Sequence, residues 1–375
     1  MRLSALRPFV ADPMLSTAAP AADLRAHPVL QAILRRRDSG SAPGARRDGL
    51  RIALAIEGGG MRGVVSAGMA AAIEQLGLTD CFDEVHGASA GAFNAAFLLA
   101  GQAAYLTALY AHGFGDPVFA GLRRVLRGGP PFDLDYVIGE VWRHRRPLRT
   151  DRILASGIEL HCTATDVDRA RLVDLTALSS DREIRCALRA SARLPWLAGP
   201  PVGFRGMRLL DATLAEAIPV SVPLRQATHV LVLQTRPHGV RHRPLSGPVA
   251  RLTDRYLRSF NPQLVALRRT RSERYDALAA QLSARSADPS AAPAVCVIRP
   301  PAGSRSIGQM ENRLAALQAA GAVGMRAAWT AFTGSDPELI GAPRAYPRHE
   351  PPAEAESASA VAATGEARPR TVKIL

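Results

Sequence analysis

Residues 51–99 hold two glycine-rich turns, each following a short apolar run and opening an alanine-rich stretch, and no other feature constrains the fold as strongly. Arg51–Ile56 reads as a strand, Gly58–Gly63 (GGGMRG) as a turn, and Met61–Leu76 as a helix with small residues where it packs closely. Glu84–His86 reads as a second strand, Gly87–Gly91 (GASAG) as a second turn, and Ser89–Leu99 as a helix rich in Ala and Phe. Strands and helices joined this tightly bury their apolar faces as a parallel sheet covered by helices. The alternation continues with strands at Gly157–Ala164, Arg171–Val173, His229–Gln234 and Ala294–Ile298, and a helix over about Met310–Trp329. The expected fold class is α/β, with three α/β/α layers and a central, mostly parallel sheet.

Composition sets the boundaries. Residues 1–48, rich in Ala, Pro, Ser and Arg, read as a flexible N-terminal extension. Within it Val29, Leu30, Ile33 and Leu34 mark a short helix, and Arg35–Gly49 reads as a linker. Residues 49–338 form the expected domain and 339–375 a disordered tail, because Pro343–Arg370 has few large apolar residues to bury.

The formal net charge is +14, yet 46 of the 47 basic residues are arginine and aromatics are only 5% of the chain. Bases would have little to stack on, so nucleic acid is not the expected partner. A basic surface does suit anionic lipid headgroups, which makes peripheral membrane contact a further expectation. Leu264, Leu267, Tyr275, Leu278 and Leu282 mark one face of a helix that also carries Arg268, Arg269, Arg271 and Arg274. That pattern reads as a core-packed helix with a solvated basic face, the alternative being a face that meets anionic lipid. Cys81, Cys162, Cys186 and Cys296 are scattered without a CxxC pair and read as buried apolar residues, neither disulfides nor a zinc site. No continuous apolar stretch suggests a secretory signal or a membrane span, so the expected location is cytoplasmic. Nothing in the sequence fixes an oligomeric state.

The chemistry sits in the two turns. Amide groups at a helix N-terminus point outward unpaired, and glycines let an anion approach them, so Gly58, Gly59, Gly60, Met61, Arg62 and Gly63 are suited to a phosphate or to the oxyanion of a tetrahedral intermediate. In Gly87-Ala88-Ser89-Ala90-Gly91 a serine between strand and helix occupies a sharp turn that exposes its hydroxyl. The flanking glycines avoid collision there, and the Ala90 N–H is a further oxyanion donor. A base for Ser89 is open between the histidines that follow it and Asp211, at the end of the apolar run Arg208-Leu209-Leu210.

GGGxRG, then GxSxG within one βαβ unit, then an Asp at a strand end resembles the patatin-like phospholipase family. Cys162–Asp166, Arg189–Pro195 and Thr228–Pro237 resemble further stretches of it, so the likeness covers roughly residues 50–335. The resemblance implies a serine lipid acyl hydrolase of the phospholipase A, lysophospholipase or esterase type. Ser89 would be the nucleophile, Asp211 the base of a Ser-Asp dyad, and Gly58–Gly63 the oxyanion hole, with Arg62 offsetting negative charge. It also implies a lipid or acyl ester substrate and no metal or organic cofactor. The family usually has Asp-Gly-Gly or Asp-Gly-Ala at the base, whereas this chain has Asp211-Ala212-Thr213, which a positive φ at position 212 would disfavour.

Three rival readings exist. Gly58, Gly60 and Gly63 also satisfy GxGxxG, but the acidic residue a dinucleotide site wants at the end of the second strand is replaced by Gly87-Ala88-Ser89. An α/β-hydrolase triad would run Ser89, Asp211, then His229 or His238, yet only one strand precedes Ser89 here. A catalytically weakened lipid-binding protein would have little use for a strained serine turn. His112, His144 and His161 show no metal-ligand spacing.

Overall fold

The computed structural model describes residues 24–112, 133–145, 147–241 and 244–336. The expected tail, 339–375, and residues 1–23 lie outside them.

Eight strands form one sheet: β1 (Ile52–Ile56), β2 (Glu84–Ala88), β3 (Glu159–Asp166), β4 (Arg171–Leu175), β5 (Val202–Phe204), β6 (Met207–Leu210), β7 (His229–Leu233) and β8 (Ala294–Ile298). Their order is β5-β6-β3-β2-β1-β7-β8, with β4 also paired to β3. The β1–β2, β1–β7, β2–β3 and β7–β8 pairs are parallel; β3–β4, β3–β6 and β5–β6 are antiparallel. The sheet is thus mixed and mostly parallel, with helices on both faces, as the sequence pattern indicates. The β5–β6 hairpin is too short to show periodicity. It turns through Arg205 (φ 49°) and Gly206 (φ 74°), a two-residue reversal whose positive angles match the twist of the strands.

Strand alternation sends two sets of side chains to opposite faces. Leu54, Ile56, Val85, Cys162, Leu231 and Leu233 join one core. Under it lie α1 (Pro28–Asp38), α2 (Gly63–Gln75), α3 (Ala90–Leu99) and α4 (Ala103–His112). The other face buries Ala53, Ala55, Val230, Val232, Val295 and Val297 against Tyr275 and Leu282 of a long helix, Pro262–Ala287. The apolar spacing read in the sequence is the buried seam of that helix. Its start is fixed by Asn261, whose side chain accepts from the Gln263 N–H, and by Pro262 at the first turn.

The last described helix, Leu314–Thr333, crosses α2 at backbone contact distance. A Cβ on Gly324 would lie 1.9 Å from the Val65 carbonyl oxygen, and one on Gly68 would lie 2.0 Å from the Gly321 oxygen. Glycine is required at both places because backbone, which cannot rotate aside, fills the space.

Residues 24–48 do not form the flexible extension that composition suggests. In α1, Val29, Leu30 and Ile33 are fully buried in the main core, so the short helix read from those residues belongs to the domain. Arg36, 2% exposed, donates to the Asp48 and Asp83 carboxylates and to the Cys81 and Leu50 carbonyls, tying the supposed linker to the start of β2. A guanidinium has five N–H donors, and here a set of acceptors from three segments replaces the water it loses. Arg36→Ala is expected to lower the thermal midpoint by several degrees, roughly 2 kcal/mol of stability, because Asp48 and Asp83 keep partial access to water. A melting curve superimposable on wild type would contradict that role.

Candidate active site

The two glycine turns end adjacent parallel strands, and the register Ile56↔Gly87 sets them side by side. Gly58 is the point of contact: a Cβ there would lie 2.3 Å from the Ala88 carbonyl oxygen and 3.1 Å from Ser89 Cβ. Gly91 packs as tightly, its Cβ position being 2.1 Å from the Ile56 oxygen. The glycines let one turn lie directly against the other.

Ser89 has φ 54° and ψ −121°, in the region that side-chain-bearing residues rarely adopt. This lifts its hydroxyl off the end of β2 while α3 begins at Ala90. The Ser89 N–H donates to Ser191 Oγ at 2.9 Å, a support that the sequence shows only as the serine inside Arg189–Pro195. Ser191→Ala would leave that amide buried and unpaired, at about 1–3 kcal/mol. It is expected to lower both the thermal midpoint and, by roughly tenfold, any turnover at Ser89; unchanged values for both would show that the turn holds itself.

Asp211 follows β6 and is fully buried. Ser89 Oγ donates to its Oδ2 at 2.7 Å, across 122 positions of sequence. Oδ1 accepts from the Thr213 N–H at 2.9 Å and the Thr213 hydroxyl at 2.6 Å. The Asp211 backbone is pinned as well, its N–H donating to the Arg193 carbonyl and its carbonyl accepting from Thr165 Oγ1. Burial raises the carboxyl above its usual value, opposed by the hydrogen bonds from Thr213 and Ser89 and by the Arg271 charge. Ala212 lies in a right-handed 3₁₀ turn, Ala212–Leu214, with no positive φ, so its methyl group is accommodated and Thr213 becomes a second donor.

The first turn contributes fewer amides than its sequence offers. Gly58 N–H donates to the Ala217 carbonyl, Met61 N–H to Gln309, and Arg62 N–H to Gly59, while the Gly63 N–H is used in capping the 3₁₀ turn Gly60–Arg62. The N–H groups of Gly59 and Gly60 have no backbone acceptor among the described residues, and the oxyanion role read across Gly58–Gly63 narrows to these two and Ala90. Gly60, at φ 59°, is held against the Gln309 carbonyl, 2.7 Å from where a Cβ would stand.

A basic group underlies this turn. Arg62 is 5% exposed and donates from Nε to Thr235 Oγ1 at 3.1 Å. Its pKa is pushed down to about 10 by burial and by the charge of Arg236, with Glu57 opposing. Glu57 accepts from the Thr235 N–H and the Tyr275 hydroxyl, and Arg236 stacks over the Tyr275 ring. The arginines of the long helix are only in part the solvated stripe their spacing suggests: Arg269 is exposed, whereas Arg268 is largely buried. Arg268 and Arg269 pair with Asp254, and Arg274 donates to the carbonyls of Leu214, Ala215 and Leu267. Arg271 faces Asp211 electrostatically. A cavity of about 150 Å³ lies two residues along from Asp211, lined in part by Thr213, Glu216, Arg271 and Tyr275.

Of the two histidines proposed for a triad, His229 stands elsewhere. His229 opens β7 opposite Ile52, at the end of the sheet remote from the Ser89 turn, and its Nδ1 meets Thr228 Oγ1. His238 is exposed. Strand register does, however, correct the reading of His161 as lacking ligand partners: Glu84, His86 and His161 bring one potential donor atom each within 4.8 Å of one another.

Residues 54–224 match the sequence profile of the patatin-like phospholipase family. Over 187 residues the chain is 30% identical to the uncharacterized protein YjjU of Escherichia coli (strain K12), a match spanning 49% of this chain and about half, 51%, of that relative. Among solved structures it is similar to VipD of Legionella pneumophila, with TM-score 0.37 and 10% identity over 76% of this chain and 67% of that one. It is also similar to the type III effector protein ExoU of Pseudomonas aeruginosa, with TM-score 0.34 and 16% identity over 77% of this chain and 54% of that one.

Proposed function

We propose that the chain, whose residues 54–224 match the patatin-like phospholipase profile, hydrolyses acyl esters of lipids through a Ser89–Asp211 dyad. The observation that carries this reading is the 2.7 Å hydrogen bond from the Ser89 hydroxyl to a buried carboxylate, beside two glycine amides with no backbone acceptor among the described residues, able to donate to an anion.

The chemistry runs in two halves. Ser89 Oγ attacks the ester carbonyl carbon as its proton passes to Asp211 Oδ2. The carbonyl oxygen becomes an oxyanion, met by the Gly59, Gly60 and Ala90 N–H groups, with the Arg62 charge behind the turn. The carbon–oxygen bond to the leaving alcohol breaks, and that alcohol takes the proton from Asp211. Water then attacks the acyl-serine, giving its proton to Asp211, and Ser89 regains one as the fatty acid leaves. An acceptor alcohol in place of water would make the same machinery an acyl transferase.

Asp211 Oδ1 stays engaged by Thr213, so Oδ2 is left to move the proton. Burial raises its proton affinity, which suits a base that works without an imidazole. The position of His229 at the opposite end of β7 favours this dyad over the Ser-Asp-His alternative. Among the described residues no helix is long and apolar enough to cross a membrane, so a lipid substrate would be met by contact at a bilayer surface.

Covalent labelling tests the reading. A fluorophosphonate should modify Ser89 and no other serine, and the label should disappear in Ser89→Ala; modification elsewhere, or none, refutes it. The pH profile provides a second check. Asp211 must be ionised to accept the proton, so kcat/KM should rise with pH along a limb set by its raised pKa, above the usual carboxylate range. A limb abolished by His229→Ala would instead identify an imidazole base.

A further inference from the structure

We propose that Glu84, His86 and His161 form a binding site for a divalent transition-metal ion of the zinc type, on one face of the sheet and apart from the dyad. The parallel register of β2 on β3 pairs Glu84 with Glu159 and His86 with His161. Residues two apart on a strand share a face, so these four polar side chains project together. Glu84 and His86 are fully buried and His161 is 3% exposed.

The side chains lack the partners such burial demands. Among the described residues His86 Nδ1 has no hydrogen-bond partner, and the other ring nitrogen, Nε2, meets only Glu84 Oε1, at 3.3 Å. A neutral imidazole always carries one N–H, and leaving it unpaired in the interior is unfavourable. The other atoms are held as coordination requires. Glu84 Oε2 is anchored by Arg51 and Gln226, leaving Oε1 turned to His86. His161 Nδ1 meets Asp174 Oδ2 at 2.7 Å, which leaves Nε2, now facing Glu159 Oε2 and Thr176 Oγ1, as the ligand atom; a carboxylate behind the second ring nitrogen is the usual outer support of a metal-bound histidine. Glu159 Oε2 lies 3.3 Å from His161 Nε2 but is held by Arg51, so a fourth position would fall to water.

Charge points the same way. Glu84, Glu159 and Asp174 bring three negative charges, and Arg51, which pairs with the first two, returns one. With neutral imidazoles the remainder equals one divalent cation. Imidazole and carboxylate donors favour zinc and its neighbours over magnesium or calcium. The donor atoms would close by up to about 1.5 Å to reach a tetrahedral site, within reach of side-chain rotation that parts the stacked rings, now 4.0 Å apart. His86 lies three residues before Ser89, about 10 Å along an extended strand, so the ion would brace the strand under the serine turn and take no part in the ester chemistry.

The test uses the full chain without a histidine tag, stripped by chelator and dialysed against Zn²⁺. We expect one equivalent of zinc per chain by elemental analysis, a rise in thermal midpoint on zinc addition, and tetrahedral visible bands with Co²⁺. All three should persist in Ser89→Ala and be lost in His86→Ala and His161→Ala. Should those variants misfold by circular dichroism, the isosteric Asp174→Asn should weaken zinc affinity by roughly 10–100-fold. Substoichiometric zinc in wild type, or affinity unchanged in Asp174→Asn and both histidine variants, would overturn the site and identify the cluster as a pair of imidazoles balanced by protons alone.

Discussion

Asp211→Asn is expected to reduce ester turnover by roughly 10⁴-fold while leaving the protein at least as thermostable as wild type. Both halves follow from the same burial. The amide fills the space of the carboxylate and can still accept from Thr213, but it cannot take the proton from Ser89 Oγ. Stability responds in the opposite sense. A carboxyl whose folded pKa is raised binds its proton more tightly in the folded state. Its favourable contribution is complete below the ordinary carboxylate pKa and is lost as pH rises through the folded value. Once pH has risen through the folded value, the ionised, buried Asp211 therefore costs stability, and asparagine removes that cost. Ser89→Ala should be as inactive while melting near wild type. Steady-state kinetics on a chromogenic ester and melting curves at pH 5 and pH 8 separate these expectations. Retained turnover in Asp211→Asn would dispose of the dyad, and a marked loss of stability would make Asp211 a structural residue.

The largest effect on folding is expected at the crossing of α2 with the last helix. Gly324→Leu places a Cβ 1.9 Å from the Val65 oxygen and 2.8 Å from its carbonyl carbon, with the rest of the side chain still to fit. The obstacle is backbone, so the helices must separate, and they are a main cover of one sheet face. About 3 kcal/mol or more is expected, at the upper end of overpacking costs, a fall of roughly 10 °C in thermal midpoint. Gly77→Leu, at a turn where a Cβ meets nothing within 4 Å, serves as a comparison limited to the strain of its φ of 67°. Equal melting temperatures for the two variants would mean that the helices do not meet this closely in solution. Because α2 begins at the first glycine turn, a smaller substitution such as Gly324→Ala should also reduce esterase activity through displacement of Gly59 and Gly60.

Asp211 is singled out as the partner of Ser89 only by resemblance to the patatin-like family, whereas the sequence determined the alternation of strands and helices, the two turns and the serine at the second of them. These are legible because their signals are local: a strand buried on both faces is an unbroken apolar run, and glycine stands where backbone must approach backbone. Composition misjudged residues 24–48, since a short amphipathic helix and one arginine do not reveal that Asp48, Asp83 and two carbonyls await them. Spacing likewise misjudged in part the arginines of the long helix, whose partners Asp254 and Leu214 come from other segments. Tertiary structure alone decided which amides of the first turn stay free, that Ser191 props the Ser89 turn, and that Glu84, His86 and His161 converge. Each is a contact between residues far apart in the chain, fixed by strand register and helix packing, which one-dimensional spacing does not encode.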